Sequence, residues 1–300
     1  MALRGVKPET VQKRLKMFIY GAAGCGKTYA AIQFPKPYVI DTEKGTENEE
    51  YVDLINGVGG MVFRSSDFEE VYKEVRSLLT EKHDYKTLVI DPLTIIYNDL
   101  LERSAQSLRT PKNPDGTAHG AHYGVANRKF KQLTGLLLQL DMNIIITSHA
   151  KQEYGENLAV LGQTFDAYKK MDYLFDLMLE IKRNANTDDV VAIVKKTRIQ
   201  QFPYLVAFKF SYQEVANRYG YEIMEKPAEA IELATPEQIT QFKLLCHNTN
   251  VSRETLEKWL AKAGVSVMEE MTMVTTQQCI DYLREKYNQK CIEPDEEGPE

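Results

Sequence analysis

The chain has 300 residues, 43% hydrophobic and 27% charged, which is enough apolar content for a packed core and excludes wholesale disorder. Forty-three acids against 37 bases give a formal net charge of −6, an average that argues against a uniformly basic nucleic-acid binder but conceals a basic start and an acidic end. No run reaches the roughly 18 uninterrupted apolar residues that cross a bilayer. The opening residues lack an apolar signal core, and the four cysteines show neither CxxC nor zinc-ligand spacing, so a cytoplasmic protein with reduced thiols, no structural metal and no membrane partner is expected.

Residues 1–16 form a basic arm (Arg4, Lys7, Lys13, Arg14, Lys16). Met17–Tyr20, Tyr38–Ile40, Leu88–Ile90 and Ile144–Ile146 are short apolar runs that each end in a polar or Gly turn, the pattern of buried parallel strands. Helical patterns separate them. One runs from the first strand's turn to Phe34, stopped by Pro35, one follows the Ser66/Glu69 capping signal with Phe68, Val71, Val75, Leu78 and Leu79 on one face, and one spans Gly124–Leu140. This alternation predicts an α/β fold, a doubly wound core around a mainly parallel twisted sheet. Strand-like runs at Leu177–Ile181, Val190–Val194 and Leu205–Phe210 add an antiparallel extension, which places the core domain at 17–223. A linker at 224–234 precedes a small three-helix module at 235–290, with capping boxes at Thr235–Gln238 and Thr275–Gln278, an N-cap at Ser252 and a C-cap at Gly264. Trp259 has the helical spacing of a core residue, and the acidic tail, 291–300, is expected to be disordered.

Gly21-Ala22-Ala23-Gly24-Cys25-Gly26-Lys27-Thr28, followed by Tyr29, matches GxxxxGK[ST] in the required setting, an apolar strand before and a helix after. The glycines let backbone N–H groups wrap phosphates, Lys27 reaches the β and γ phosphates, and the Thr28 hydroxyl ligates Mg²⁺, so ATP and Mg²⁺ are the expected cofactors. Cys25 occupies a variable position, where space filling outweighs redox control. Asp91, delivered by an apolar strand at its C-terminal end, is the second Mg²⁺ candidate. Pro92 follows it, where many motor ATPases place a catalytic Glu. The water-orienting carboxylate must come from elsewhere, and Glu43, in Asp41-Thr42-Glu43 at the end of the second strand, is the candidate.

Together these spaced features resemble the RecA-type recombinase ATPases, above all the reduced RecA-like ATPases of bacteriophages that act in single-strand annealing, over about Met17–Phe210. The resemblance implies a RecA-like P-loop core in which Glu43 is the catalytic base and His149, at a position where the family more often has Gln, senses the γ-phosphate. Lys196 and Arg198 would reach a neighbouring subunit's nucleotide, and Tyr51 would stack on the adenine. It further implies two DNA loops. The first surrounds Arg109, Lys112, His122, Tyr123 and Arg128, and the second spans Ala150–Phe165 with Lys151 and Tyr154. The function so implied is DNA-stimulated ATP hydrolysis coupled to single-stranded DNA annealing or exchange, in a homo-oligomer with nucleotide at the subunit interface, acting with a single-strand-binding or other recombination protein. For a phage product, the location would be the host cytoplasm. The competing reading is a nucleotide-dependent regulatory ATPase without recombinase activity.

Overall fold

A computed structural model describes residue 7 and residues 12–108, 120–154, 160–265 and 267–292, without the side chains of 154, 160, 161 and 287–292. Arg109, Lys112, most of the basic arm, the side chain of Tyr154 and the tail from 293 therefore lie outside the described residues.

In chain order the elements begin β1 (Lys16–Gly21), α1 (Lys27–Ala31), β2 (Pro37–Asp41), α2 (Glu49–Gly57), β3 (Met61–Arg64), α3 (Phe68–Thr80), β4 (Thr87–Asp91) and α4 (Leu93–Ser107). They continue through α5 (Ala121–Gln139), β5 (Asn143–Tyr154), β6 (Val160–Phe165), α6 (Met171–Leu174), β7 (Leu177–Arg183), β8 (Val190–Thr197), β9 (Ala207–Lys209), α7 (Tyr212–Tyr219) and α8 (Tyr221–Glu225). Last come α9 (Pro236–Asn248), α10 (Arg253–Ala263) and α11 (Met273–Ile292).

The sheet runs β3-β2-β4-β5-β1-β7-β8-β9, with β6 paired to β5. Strands β3 through β7 of that order are parallel, and β8 and β9 are added antiparallel. This is the mainly parallel α/β plan expected from the sequence. Strands β1, β2 and β4 are buried along their whole length, as their unbroken Val- and Ile-rich runs require when both faces are covered. Met17, Ile19, Val39, Val89, Ile145 and Leu179 meet Phe34, Phe202 and Val215 in one apolar cluster, and each such side chain contributes about 1.5–3 kcal/mol by burial.

Register puts the polar groups on one edge. Asp41 pairs with Asp91 and Gly21 with His149, so the phosphate loop and three strand-end polar residues sit side by side at the carboxyl ends of β1, β2, β4 and the parallel part of β5.

Several boundaries differ from expectation. The helix after the phosphate loop ends at Ala31 and gives way to turns before Pro35. Arg14 and Lys16 are no loose arm. Arg14 is buried and donates to Asp141 (2.9 Å) and to the Ile223 and Pro227 carbonyls (2.7 Å each), while the Lys16 ammonium donates to the Met142 carbonyl at 3.1 Å. The linker begins at Lys226, because α8 runs to Glu225 and Met224 is buried. Two strands were not anticipated. The edge strand β3 is partly exposed and its apolar run is only three residues, Met61–Phe63, and β6 falls in the segment expected to be a loop, Ala150–Phe165, which is instead a hairpin.

The chain groups into two compact units that do not follow chain order. The first holds the sheet. The second combines described parts of 69–83, 101–140 and 229–300. In the second, α9 opens with the capping box of Thr235 and Gln238, and α10 runs from the Ser252 N-cap to Gly264, whose φ of 73° suits glycine. The α11 cap is Thr272, not Thr275. Its hydroxyl accepts from Thr275 N at 3.2 Å, so the helix starts earlier than the second Thr-Gln signal indicated. Ile239, Phe242, Met271, Ile280 and Leu283 form this unit's own core. Trp259 packs against that core, stacked at 6.2 Å on Phe242 and edge-on to Tyr282 at 6.0 Å.

Candidate nucleotide-hydrolysis site

The phosphate loop leaves β1 at Gly21, where a Cβ would lie 2.4 Å from the Ile181 carbonyl oxygen of the neighbouring strand. Gly26 has φ +94°, and a Cβ there would meet Val190 Cγ2 at 2.4 Å, so both backbone conformation and contact demand glycine. Cys25 is buried in the core cluster, which fits the space-filling role. Ala22 and Ala23 are exposed on the loop. The buried Lys27 curls over the loop, its ammonium donating to the carbonyls of Gly21 (2.9 Å) and Ala22 (2.8 Å).

Beside it, the Thr28 hydroxyl donates to Asp91 Oδ2 at 2.6 Å, and the Thr147 hydroxyl donates to the other Asp91 oxygen. Burial pushes the Asp91 carboxyl above its ordinary value, against the pull of those two hydroxyls. Two adjacent hard oxygen donors on loop and strand end suit Mg²⁺, which takes few protein ligands and keeps several waters.

Asp41 is 1% exposed and organises the turn that carries Glu43. Its carboxylate accepts from the backbone N–H groups of Glu43 (3.2 Å), Gly45 (3.0 Å) and Thr46 (2.9 Å), and from the Thr46 hydroxyl (2.6 Å). Glu43 Oε1 lies 3.1 Å from His149 Nε2, both side chains being about 40% exposed. His149 is in turn placed by its backbone N–H, which donates to Thr94 Oγ1 at 3.0 Å, and by its carbonyl, which accepts from Asp166 N at 2.9 Å where the β5–β6 hairpin closes. Lys27, Thr28, Asp91, Glu43 and His149 thus all lie on the same sheet edge.

A cavity of about 480 Å³ opens over the loop. It is lined by Gly24, Gly26, Lys27 and Thr28 of the loop and first helix and by Tyr29, Glu50, Tyr51, Arg183 and Asp188. The rings of Tyr29 and Tyr51 are 6.2 Å apart, and burial raises the Tyr51 hydroxyl.

Other expected residues lie elsewhere. Arg198 follows the end of β8 at Thr197, so it does not share a strand face with Lys196. Both are engaged within the chain, Lys196 with the Phe175 carbonyl and Arg198 with Asp176 at 3.2 Å. They flank the start of β7, whereas the phosphate loop stands at the opposite, carboxyl edge. His122 is buried on α5 with its ring 4.4 Å from that of Tyr123, which removes it as a nucleic-acid contact; Tyr123 and Arg128 remain exposed. Lys151 is exposed on the hairpin and paired with Asp166 at 3.0 Å.

Sequence reasoning missed Thr147, Asp41, Arg183 and Asp188. The polar Thr at the end of an apolar strand was a usable signal for the first, and Asp followed by Gly45 and Thr46, an Asx-type turn, for the second. The last two had none.

A family model described as AAA domain matches residues 13–204. Among solved structures, the crystal structure of the RadB recombinase is 16% identical, with 73% of this chain and 91% of that chain covered and a TM-score of 0.44. Comparison with curated proteins finds no match. Among the described residues no helix is long and apolar enough to cross a membrane.

Proposed function

The chain belongs to the AAA domain family, and we propose that it is an ATPase of DNA recombination, binding and hydrolysing ATP at the phosphate loop and coupling hydrolysis to single-stranded DNA. The observation that carries this reading is the Glu43–His149 pair, which joins the candidate hydrolytic carboxylate to the head of the β5–β6 hairpin.

In this reading the loop N–H groups and Lys27 hold the phosphates, and Thr28 and Asp91 hold Mg²⁺, which supplies charge neutralisation at the phosphoryl oxygens when bound. Glu43 orients the attacking water and accepts its proton. His149 shares Glu43 through Nε2, so a change at the phosphate end alters the residue from which the hairpin springs. The hairpin exposes Lys151 and Gln152, groups suited to phosphate and base contacts without sequence preference. Lys196 and Arg198, at the far edge from their own phosphate loop, would reach a neighbouring subunit's nucleotide by exchanging their contacts within the chain, which makes a homo-oligomer part of the proposal. Annealing or exchange would follow from ATP-gated release of the strand, an order-to-disorder switch of the kind nucleotide-driven loops use.

Anisotropy of a labelled single strand, titrated with protein with and without ATP, tests the DNA half. Affinity should rise with ATP and fall linearly in log–log form with salt, and Lys151→Ala should shallow that slope by about 0.7. Absence of binding in every nucleotide state would leave the regulatory ATPase as the better account.

A further inference from the structure

The cavity over the phosphate loop contains a charge pair that the hydrolytic chemistry does not use. Arg183, at the last position of β7, makes a two-pronged pair with Asp188 across the β7–β8 turn: Nε to Oδ1 at 2.5 Å and one terminal nitrogen to Oδ2 at 2.6 Å. Both residues line the same cavity as Gly24, Gly26, Lys27 and Thr28.

The pair is held from several sides. Asp188 adopts φ +60°, and its N–H donates to the Asn184 carbonyl at 2.8 Å. Asn184 N donates to the Asp189 carbonyl at 2.9 Å, and Asp189 pairs with Lys209 of β9 at 2.7 Å. Val190, the next residue, stands where a Cβ on Gly26 would collide with it, so the hairpin is seated against the phosphate loop. Tyr51, which lines the same cavity, sits in the first turn of α2, its N–H donated to the Asn48 side chain at 2.9 Å. The positive charge of Arg183 is felt at the Tyr51 hydroxyl.

A planar guanidinium has two uses, its edge for oxygens and its face for stacking. The Asp188 carboxylate already occupies two donors of the Arg183 edge, leaving the face available. Glu50 lines the same cavity, and its negative charge disfavours a second phosphate site there. The phosphate end is already furnished by Lys27 and the loop glycines.

We propose that Arg183, held flat by Asp188, is the second wall of a slot whose first wall is Tyr51, and that it stacks on the base of the nucleotide bound at the phosphate loop within the same subunit. This rests on the nucleotide-binding reading above. It makes Arg183 a binding residue for the base and Asp188 a positioning residue that acts through it.

Titration calorimetry with ATP, ADP and inorganic tripolyphosphate, at constant salt, separates base from phosphate contacts. Arg183→Ala should weaken ATP and ADP about tenfold, the scale of one planar stacking contact on a base, while tripolyphosphate affinity is unchanged. Arg183→Lys, which keeps the charge and loses the plane, should behave like Arg183→Ala, and Asp188→Asn should show a smaller loss in the same pattern. Lys27→Ala should weaken all three ligands. Equal weakening of tripolyphosphate and ATP by Arg183→Ala would make Arg183 a phosphate contact and overturn the proposal, as would unchanged ATP affinity. An unaltered protein that binds neither ATP nor tripolyphosphate would defeat the nucleotide reading itself, and the slot with it. Thermal melting of each variant identifies a failure to fold, and the Lys and Ala variants together provide two independent routes to the same comparison.

Discussion

Glu43→Gln should lower steady-state ATP hydrolysis by about 10²–10⁴-fold, the range lost when a positioned general base is removed, with ATP affinity nearly unchanged. Glutamine has the same length and can still accept a hydrogen bond from His149 Nε2, now at 3.1 Å from Glu43. It cannot take a proton from water. Binding depends on Lys27, Thr28 and the loop, none of which Glu43 touches directly, so the two properties should separate. Single-turnover hydrolysis and equilibrium binding of the same variant measure them. A variant that still turns over at the wild-type rate would remove Glu43 from the chemistry and point to another carboxylate.

Asp41→Ala should destabilise the unit that holds the sheet by about 3–5 kcal/mol, because burial without partners costs about 1–3 kcal/mol per hydrogen-bonding group. Two buried donors are left, the Thr46 N–H and hydroxyl, and the N–H groups of the exposed Glu43 and Gly45 lose their shared acceptor. With Asp41 only 1% and Thr46 0% exposed, water has little access to replace the carboxylate at the Thr46 donors. Hydrolysis should also fall, since the turn that aims Glu43 loses its anchor. Asp41→Asn keeps one acceptor but turns an amide N–H₂ toward donors, so it should fall between the two. Denaturant unfolding gives the stability, and wild-type midpoints for Asp41→Ala would show that these hydrogen bonds do not hold the turn.

How much of this was legible in the sequence varied with the locality of the signal. The phosphate loop could be read because its glycines answer a local demand, φ +94° at Gly26, and because an apolar strand leads into it. Asp91 followed from a strand ending in a carboxylate. Glu43 was a candidate from its place at the end of the second strand, whereas His149 was found only through resemblance, since their pairing brings together residues far apart in the chain. The β5–β6 hairpin was hidden because its polar composition, with Gly162 at φ +145°, reads as a loop until β5 is seen to extend past the sheet. His122 was misjudged because residue type suggested a contact while helix phase buries it beside Ala126 and Phe130. Arg198 does not share a strand face with Lys196, because β8 stops one residue short of it. The Arg183–Asp188 pair needs a turn of known geometry before two common residue types five positions apart mean anything. Local motifs therefore identified the phosphate chemistry, and tertiary contacts supplied what aims it.

The most direct test of the central claim is ATP hydrolysis measured with and without single-stranded DNA across a range of salt, with Lys27→Ala as the control. The account predicts turnover that rises when single-stranded DNA is added, a stimulation that declines as salt increases, and no turnover in the Lys27 variant. Hydrolysis by the unaltered protein that ignores DNA at every salt concentration would contradict the coupling, and hydrolysis that survives Lys27→Ala would contradict the site.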